Sequence, residues 1–237
     1  MNQDVDGREK FSPSKPMEKL NLRNNERNPE RRAAAVWLPV AVVYGLIEGA
    51  LWTPAGHWNT FFVLAAMVAI VLFTEISPFS AEDMGLTVPT AGGSGRIVLG
   101  AAILAAMVPL LSMTLGDYHA PAHVLPLGQA CMYAVWALVQ EFILQSFFYV
   151  RLESLLGARW AVLTAALLFG AAHVPNYVLA VTSLVAGLFF CEMFRRYRNL
   201  WPLGVVHAVL GLTIAARFPD AWLHHMRVGI GYLRFHL

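Results

Sequence analysis

Three side chains stand where an apolar sequence has little ordinary use for them. Glu141 sits in the middle of MYAVWALVQEFILQSFFYVR (residues 132–151) with Gln140 and Gln145 beside it. His173 closes LLFGAAHVP (167–175), and His207 lies inside LWPLGVVHAVLG (200–211). A carboxylate at membrane depth costs on the order of 2.5 kcal/mol or more, so such a residue marks a functional site by default. One carboxylate and two imidazoles can take a proton from water and steady an oxyanion. In that reading Glu141 is the base and His173 orients the water and moves its proton. His207 donates to the oxyanion with Gln140 or Asn176, and Gln145 lends support. A Glu with two His is also a zinc-type ligand set. The His-Glu-x-x-His spacing of helical zinc sites is missing, so the expected site needs no cofactor, and a divalent metal such as zinc on Glu141, His173 and His207 is the alternative.

The elements that must position these groups follow from composition. The chain is 57% hydrophobic and 14% charged, with a mean hydropathy of +0.55, outside the range of soluble domains. An all-α polytopic membrane protein is expected. Apolar windows near the roughly 20 residues a span requires fall at 33–52, 60–76, 97–115, 128–150, 160–174, 177–194 and 200–218. This gives about seven transmembrane helices, within limits of six to eight, around a polar cavity at mid-bilayer. Pro39 and Pro109 are placed to kink the first and third. Residues 1–32 mix both charge signs with three prolines and read as a disordered cytoplasmic tail. Residues 33–218 form the helical domain. Residues 219–237, rich in Trp, Tyr, Arg and His, read as an interfacial C-terminal segment.

Charge placement sets the orientation. The loops near His57, Asp117 and Asn176 hold no Lys or Arg. Those between hold Arg96, then Arg151 and Arg159, then Arg195, Arg196 and Arg198. By the positive-inside rule the N-terminus is cytoplasmic and the C-terminus extracytoplasmic, although Arg217, Arg227 and Arg234 run against the pattern. Counted from those arginines at 1.5 Å per residue, Glu141, His173 and His207 lie at depths of about 15, 21 and 14 Å. The other six histidines fall in loops or tails. The net charge of +2 is scattered, which excludes a nucleic-acid footprint. Cys131 and Cys191 both lie in apolar windows and make neither a disulfide framework nor a metal motif.

The order Gln140-Glu141-x-x-x-Gln145, Phe169-x-x-x-His173 and His207 four residues before Gly211 resembles the three motifs of the CPBP family of intramembrane endopeptidases, also called the CAAX-protease or Abi family. The resemblance covers residues 128–211 and extends to Arg195-Arg196-Tyr197-Arg198-Asn199-Leu200-Trp201-Pro202 before the last motif. It implies hydrolysis of a peptide bond in a membrane-associated substrate, with a peptide or protein and the bilayer as partners. Three positions depart from it. Gln140 stands where the family has a Glu, Gln145 where it has an Arg, and Gly211 where it has Asn or Asp.

Other readings come from the same residues. A buried Glu with neighbouring Gln can tie helices together, and His173 can satisfy carbonyls freed by Pro175. The three departures suit a catalytically silent scaffold or chaperone, and a Glu with two His also suits a small proton-coupled transporter. Glu48 is expected to pair structurally, and Glu75 and Glu192 to form interfacial ion pairs. Gly92-Gly93-Ser94-Gly95 lacks the Lys-Ser or Lys-Thr of a phosphate loop and reads as a linker.

Overall fold

The computed structural model describes residues 29–114 and 126–234. Among them a helix lies on each of the seven apolar windows: α1 (Pro29–Trp52), α2 (His57–Glu75), α3 (Ala91–Thr114), α4 (Leu127–Leu156), α5 (Ala158–Ala171), α6 (Tyr177–Tyr197) and α7 (Leu200–Arg217). Five are long and apolar enough to cross a membrane, namely α2, α3, α4, α6 and α7. The apolar part of α1, Val36–Trp52, and the 14 residues of α5 fall short. A helix of that length is about 21 Å long against a hydrocarbon core of about 30 Å. Large apolar side chains such as Trp58, Phe61, Leu64, Met67, Val71 and Leu72 on α2 face outward, as they do where lipid rather than water is the solvent.

Several boundaries differ from the sequence expectation for identifiable reasons. α1 begins at Pro29 rather than at residue 33, because proline is well suited to a first helical position, where its missing N–H is not needed. The rest of the expected tail, and the expected loop at Asp117, lie outside the described residues. The glycine run is not a linker but the first turn of α3. The Ser94 hydroxyl donates to the Thr90 carbonyl, and Gly93 lies tight against Tyr197 of α6. His173 lies not inside a helix but on the turn after α5, which ends at Ala171, just before Pro175. The residue before a proline is pushed out of the helical region, so the helix stops short.

The helices pair as α1 with α2, α5 with α6, and α7 with both α3 and α4. At the α5–α6 contact a Cβ on Gly187 would stand 3.2 Å from the Ala166 Cα, so the bare glycine is what allows these backbones their approach. The middle of α4, Phe142–Tyr149, is wound as a π-helix and packs against α2, α5, α6 and α7 at once. The Val150 N–H bonds the Gln145 carbonyl five residues back. Six of the eight residues in this stretch are buried, so it is the hub of the bundle, and π-wound turns of this kind recur at functional sites.

A loop between α2 and α3 braces that hub. Ser146 Oγ donates to the Met84 carbonyl (2.7 Å), the Leu200 N–H donates to the Gly85 carbonyl (3.0 Å), and Arg198 Nη1 reaches the Asp83 carbonyl (3.2 Å). Asp83 takes the N–H and hydroxyl of Ser80, and these bonds hold its carboxyl below the usual range. Arg198 also pairs with Glu153, which accepts from the Tyr149 hydroxyl. Arg151, buried, donates to the carbonyls of Phe147 (2.9 Å) and Phe73 (2.7 Å). Gly85 makes the loop's turn at φ +67°, and a Cβ there would stand 2.5 Å from the Phe194 ring. Gly85→Ala is expected to lower stability by about 1–3 kcal/mol, combining the left-handed backbone with that collision. Unfolding of the detergent-purified variant that tracks wild type would refute this account of the brace.

The C-terminal segment forms two short helices, α8 (Asp220–Leu223) and α9 (Gly229–Leu233), with α9 against α1. Glu48 on α1 accepts from Trp52 Nε1 at 3.0 Å, the structural pairing expected of it. Glu192 likewise pairs with Arg195 and Arg196.

Candidate active site

α4 and α7 run antiparallel along a seam with three fixed points. At one end a Cβ on Gly211 would run into the Tyr133 hydroxyl. Further along, a Cβ on Gly204 would stand 2.5 Å from Leu138 Cδ1. Between these two glycines on α7, His207 Nδ1 lies 2.9 Å from Glu141 Oε1. The two glycines let the helices close far enough for that last contact to form.

Glu141 has no exposed surface. Its Oε2 accepts from Gln145 Nε2 at 3.1 Å, one turn further along α4, so each carboxylate oxygen has a donor. Gln145 thus serves as an uncharged partner to the carboxylate. Cys191 lies beside Gln145 and Glu141 and is fully buried. Gln140 is partly buried, on the adjacent face of α4, as successive helical residues must be.

The two histidines are held in matching ways. His207 Nδ1 faces a carboxylate oxygen and His173 Nδ1 lies 2.6 Å from the Phe169 carbonyl. A carbonyl or an ionised carboxylate only accepts, so in each neutral imidazole Nδ1 carries the hydrogen and Nε2 is left with its lone pair. Neither Nε2 has a partner among the described residues. The Phe169 ring bridges the pair, with centroids 4.9 Å from His173 and 5.8 Å from His207. The Phe190 ring stacks on His207 at 5.1 Å and 19°. The structure thus sets His207 in direct contact with Glu141, and the Phe169 ring against both His207 and His173.

Asn176 is used otherwise. Its Oδ1 caps α6 by accepting from the Leu179 N–H (3.1 Å), and its amide nitrogen donates to the carbonyls of Leu223 (2.8 Å) and Arg227 (3.2 Å). It clamps the C-terminal segment, and its donors are not available to an oxyanion. A concavity of about 430 Å³ opens at that end, lined by Asn176, Tyr177, Val178, Trp222 and Tyr232 among others. Glu141, His173 and His207 do not line it. Around His207 the Phe169 and Phe190 rings form apolar walls.

Among the described residues no three His, Cys, Asp or Glu side chains are placed so that they could hold a metal.

Sequence reasoning missed Phe169 as the carbonyl that fixes the His173 tautomer, although the four-residue spacing of Phe169-x-x-x-His173 would have given it. Gln145 as the Glu141 partner was likewise legible from i,i+4 spacing. Phe190 left no such signal, because it reaches His207 from another helix, α6.

Residues 122–213 match the family described as Type II CAAX prenyl endopeptidase Rce1-like. The match spans all three motifs, the whole of α4 and α7 as far as Thr213. No curated protein and no solved structure matches the chain.

Proposed function

We propose that this integral membrane protein, whose residues 122–213 form a domain of the Rce1-like CAAX-protease family, is an intramembrane endopeptidase using Glu141, His173 and His207. The observation that carries the reading is the pair of imidazoles held with Nδ1 toward an acceptor and Nε2 without a protein partner. Two such nitrogens can hold one water between them. His207 Nε2 takes a proton from that water while Glu141 stabilises the imidazolium through Nδ1, the division of labour of a carboxylate–histidine pair. The water oxygen forms its bond to the scissile carbonyl carbon, and the carbonyl electron pair moves onto oxygen. When that pair returns, the C–N bond breaks and the leaving amine takes the proton back from His207. Glu141, with both oxygens committed, acts through His207. Gln140, which cannot accept a proton, is left with hydrogen bonding alone.

The substrate is a protein or peptide presented at the membrane, as the apolar flanks of the site require. The N-terminus is placed in the cytoplasm and the C-terminus outside it, following the arginines.

The test is time-dependent cleavage by the purified protein in detergent or bilayer discs. The probes are a C-terminal CAAX peptide bearing a prenyl group, the same peptide without it, and a single-span membrane peptide. Turnover is the expected result, and preference among the three assigns the substrate class. Stoichiometric capture without product would support a scaffold instead, and proton-coupled uptake into vesicles a transporter.

A further inference from the structure

The α4–α7 seam holds a polar group that the mechanism above does not use. Tyr133 lies two turns before Glu141 on α4, on the same face through Ala137, the i, i+4, i+8 positions of one helix stripe. Its hydroxyl occupies the space that any side chain at Gly211 would need. A Cβ there would collide with the hydroxyl oxygen and stand 2.8 Å from Cζ and 3.0 Å from Cε1. Gly211 itself is buried and follows His207 by one turn of α7, so the hydroxyl meets α7 one turn beyond the residue that bonds Glu141. Among the described residues the Tyr133 hydroxyl has no hydrogen-bond partner.

A phenolic hydroxyl is both a donor and an acceptor. That of the half-buried Tyr133 is engaged by none of the described residues, so it is open to another group. The position it fills belongs to residue 211, where the motif pattern has a polar Asn or Asp and this sequence has Gly. The two departures from an ordinary arrangement explain each other. Glycine at 211 leaves room for a hydroxyl from the opposite helix, and the hydroxyl restores a polar group to that place.

We propose that Tyr133 is a further catalytic residue whose hydroxyl donates a hydrogen bond to the oxyanion formed during peptide hydrolysis. This rests on the endopeptidase reading. It also supplies the donor that Asn176, committed to the C-terminal segment, does not. The attacking water approaches from the side of the two Nε2 atoms, and the displaced carbonyl electron pair is met by the Tyr133 O–H.

The test uses the full-length protein and the peptide substrate on which wild type shows turnover. Loss of one oxyanion donor lowers turnover by about 10²–10³-fold. Tyr133→Phe is expected to lower kcat by about that factor with KM nearly unchanged and thermal unfolding unaltered, since the hydroxyl bonds none of the described residues. Tyr133→Ala is expected to fall as far. Tyr133→Ala combined with Gly211→Asn, which clears the space and supplies an amide, is expected to regain at least tenfold over Tyr133→Ala alone. Wild-type kcat in Tyr133→Phe overturns the proposal and leaves the endopeptidase reading standing. So does a loss that comes with a raised KM and a lowered unfolding temperature, or a double variant no better than Tyr133→Ala. Wild type inert toward every peptide overturns both.

Discussion

Glu141→Gln is expected to lower turnover by about 10²–10⁴-fold, the contribution typical of acid–base catalysis, while the protein folds and extracts as wild type does. The substitution keeps the shape and leaves an oxygen that can still accept from His207 Nδ1, so the seam stays closed. What it removes is the negative charge that stabilises the imidazolium when His207 takes a proton. The neutral amide can also turn its NH2 toward Nδ1, which favours the other tautomer and removes the lone pair from Nε2. Single-turnover assays of the purified variant check this, with KM expected to stay near wild type. Gln140→Glu is the informative companion. It places a second carboxylate next to one with no exposed surface, and like-charge repulsion there leaves activity equal or lower. Full activity in Glu141→Gln would remove Glu141 from the mechanism. A gain in Gln140→Glu would return the role of base to position 140.

His207→Ala is expected to cost stability as well as activity, about 3–5 kcal/mol, because it leaves the Glu141 carboxylate in the core without its 2.9 Å partner. Stacking on Phe190 is lost with it. The diagnostic comparison is the double variant. Where the carboxylate has already been made neutral by Glu141→Gln, removing His207 strands no charge, so the double variant is expected to be more stable than His207→Ala alone. Chemical or thermal unfolding of wild type, the two single variants and the double variant forms a closed cycle, and a coupling above about 1 kcal/mol is expected for groups in contact. Additivity within about 0.5 kcal/mol would mean that the contact carries no energetic weight.

These two expectations bear differently on the departures from the family motifs. Gln145 donates to Glu141 Oε2, so the place of an arginine is taken by an uncharged donor and the pairing of Glu141 with His207 does not compete with a guanidinium. The cation of this region is Arg151 instead, which lies over the Phe147 ring at 3.9 Å and bonds backbone carbonyls. It ties α4 to α2 rather than serving the reaction centre.

The amino-acid sequence by itself carried the helical membrane class and a helix on each of the seven apolar windows, and it singled out the three residues of the candidate site. Hydropathy needs no tertiary contact, because every backbone group in lipid must be satisfied within its own segment and a helix is the local way to do so. Polar residues inside such segments stand out for the same reason. What depended on tertiary structure was whatever two helices decide jointly. Pro175 was visible, but not that α5 would end at Ala171 and leave His173 on a turn. Gly211 appeared in the sequence as a missing polar residue, and only the seam showed it filled by a hydroxyl from α4. Asn176 looked like a donor to the site until its capping of α6 and its bonds to Leu223 and Arg227 placed it with the C-terminal segment. A residue's neighbours along its own helix can be counted from spacing. Its neighbours across a seam depend on how closely two backbones approach, and that is fixed by where glycines, rings and buried charges meet.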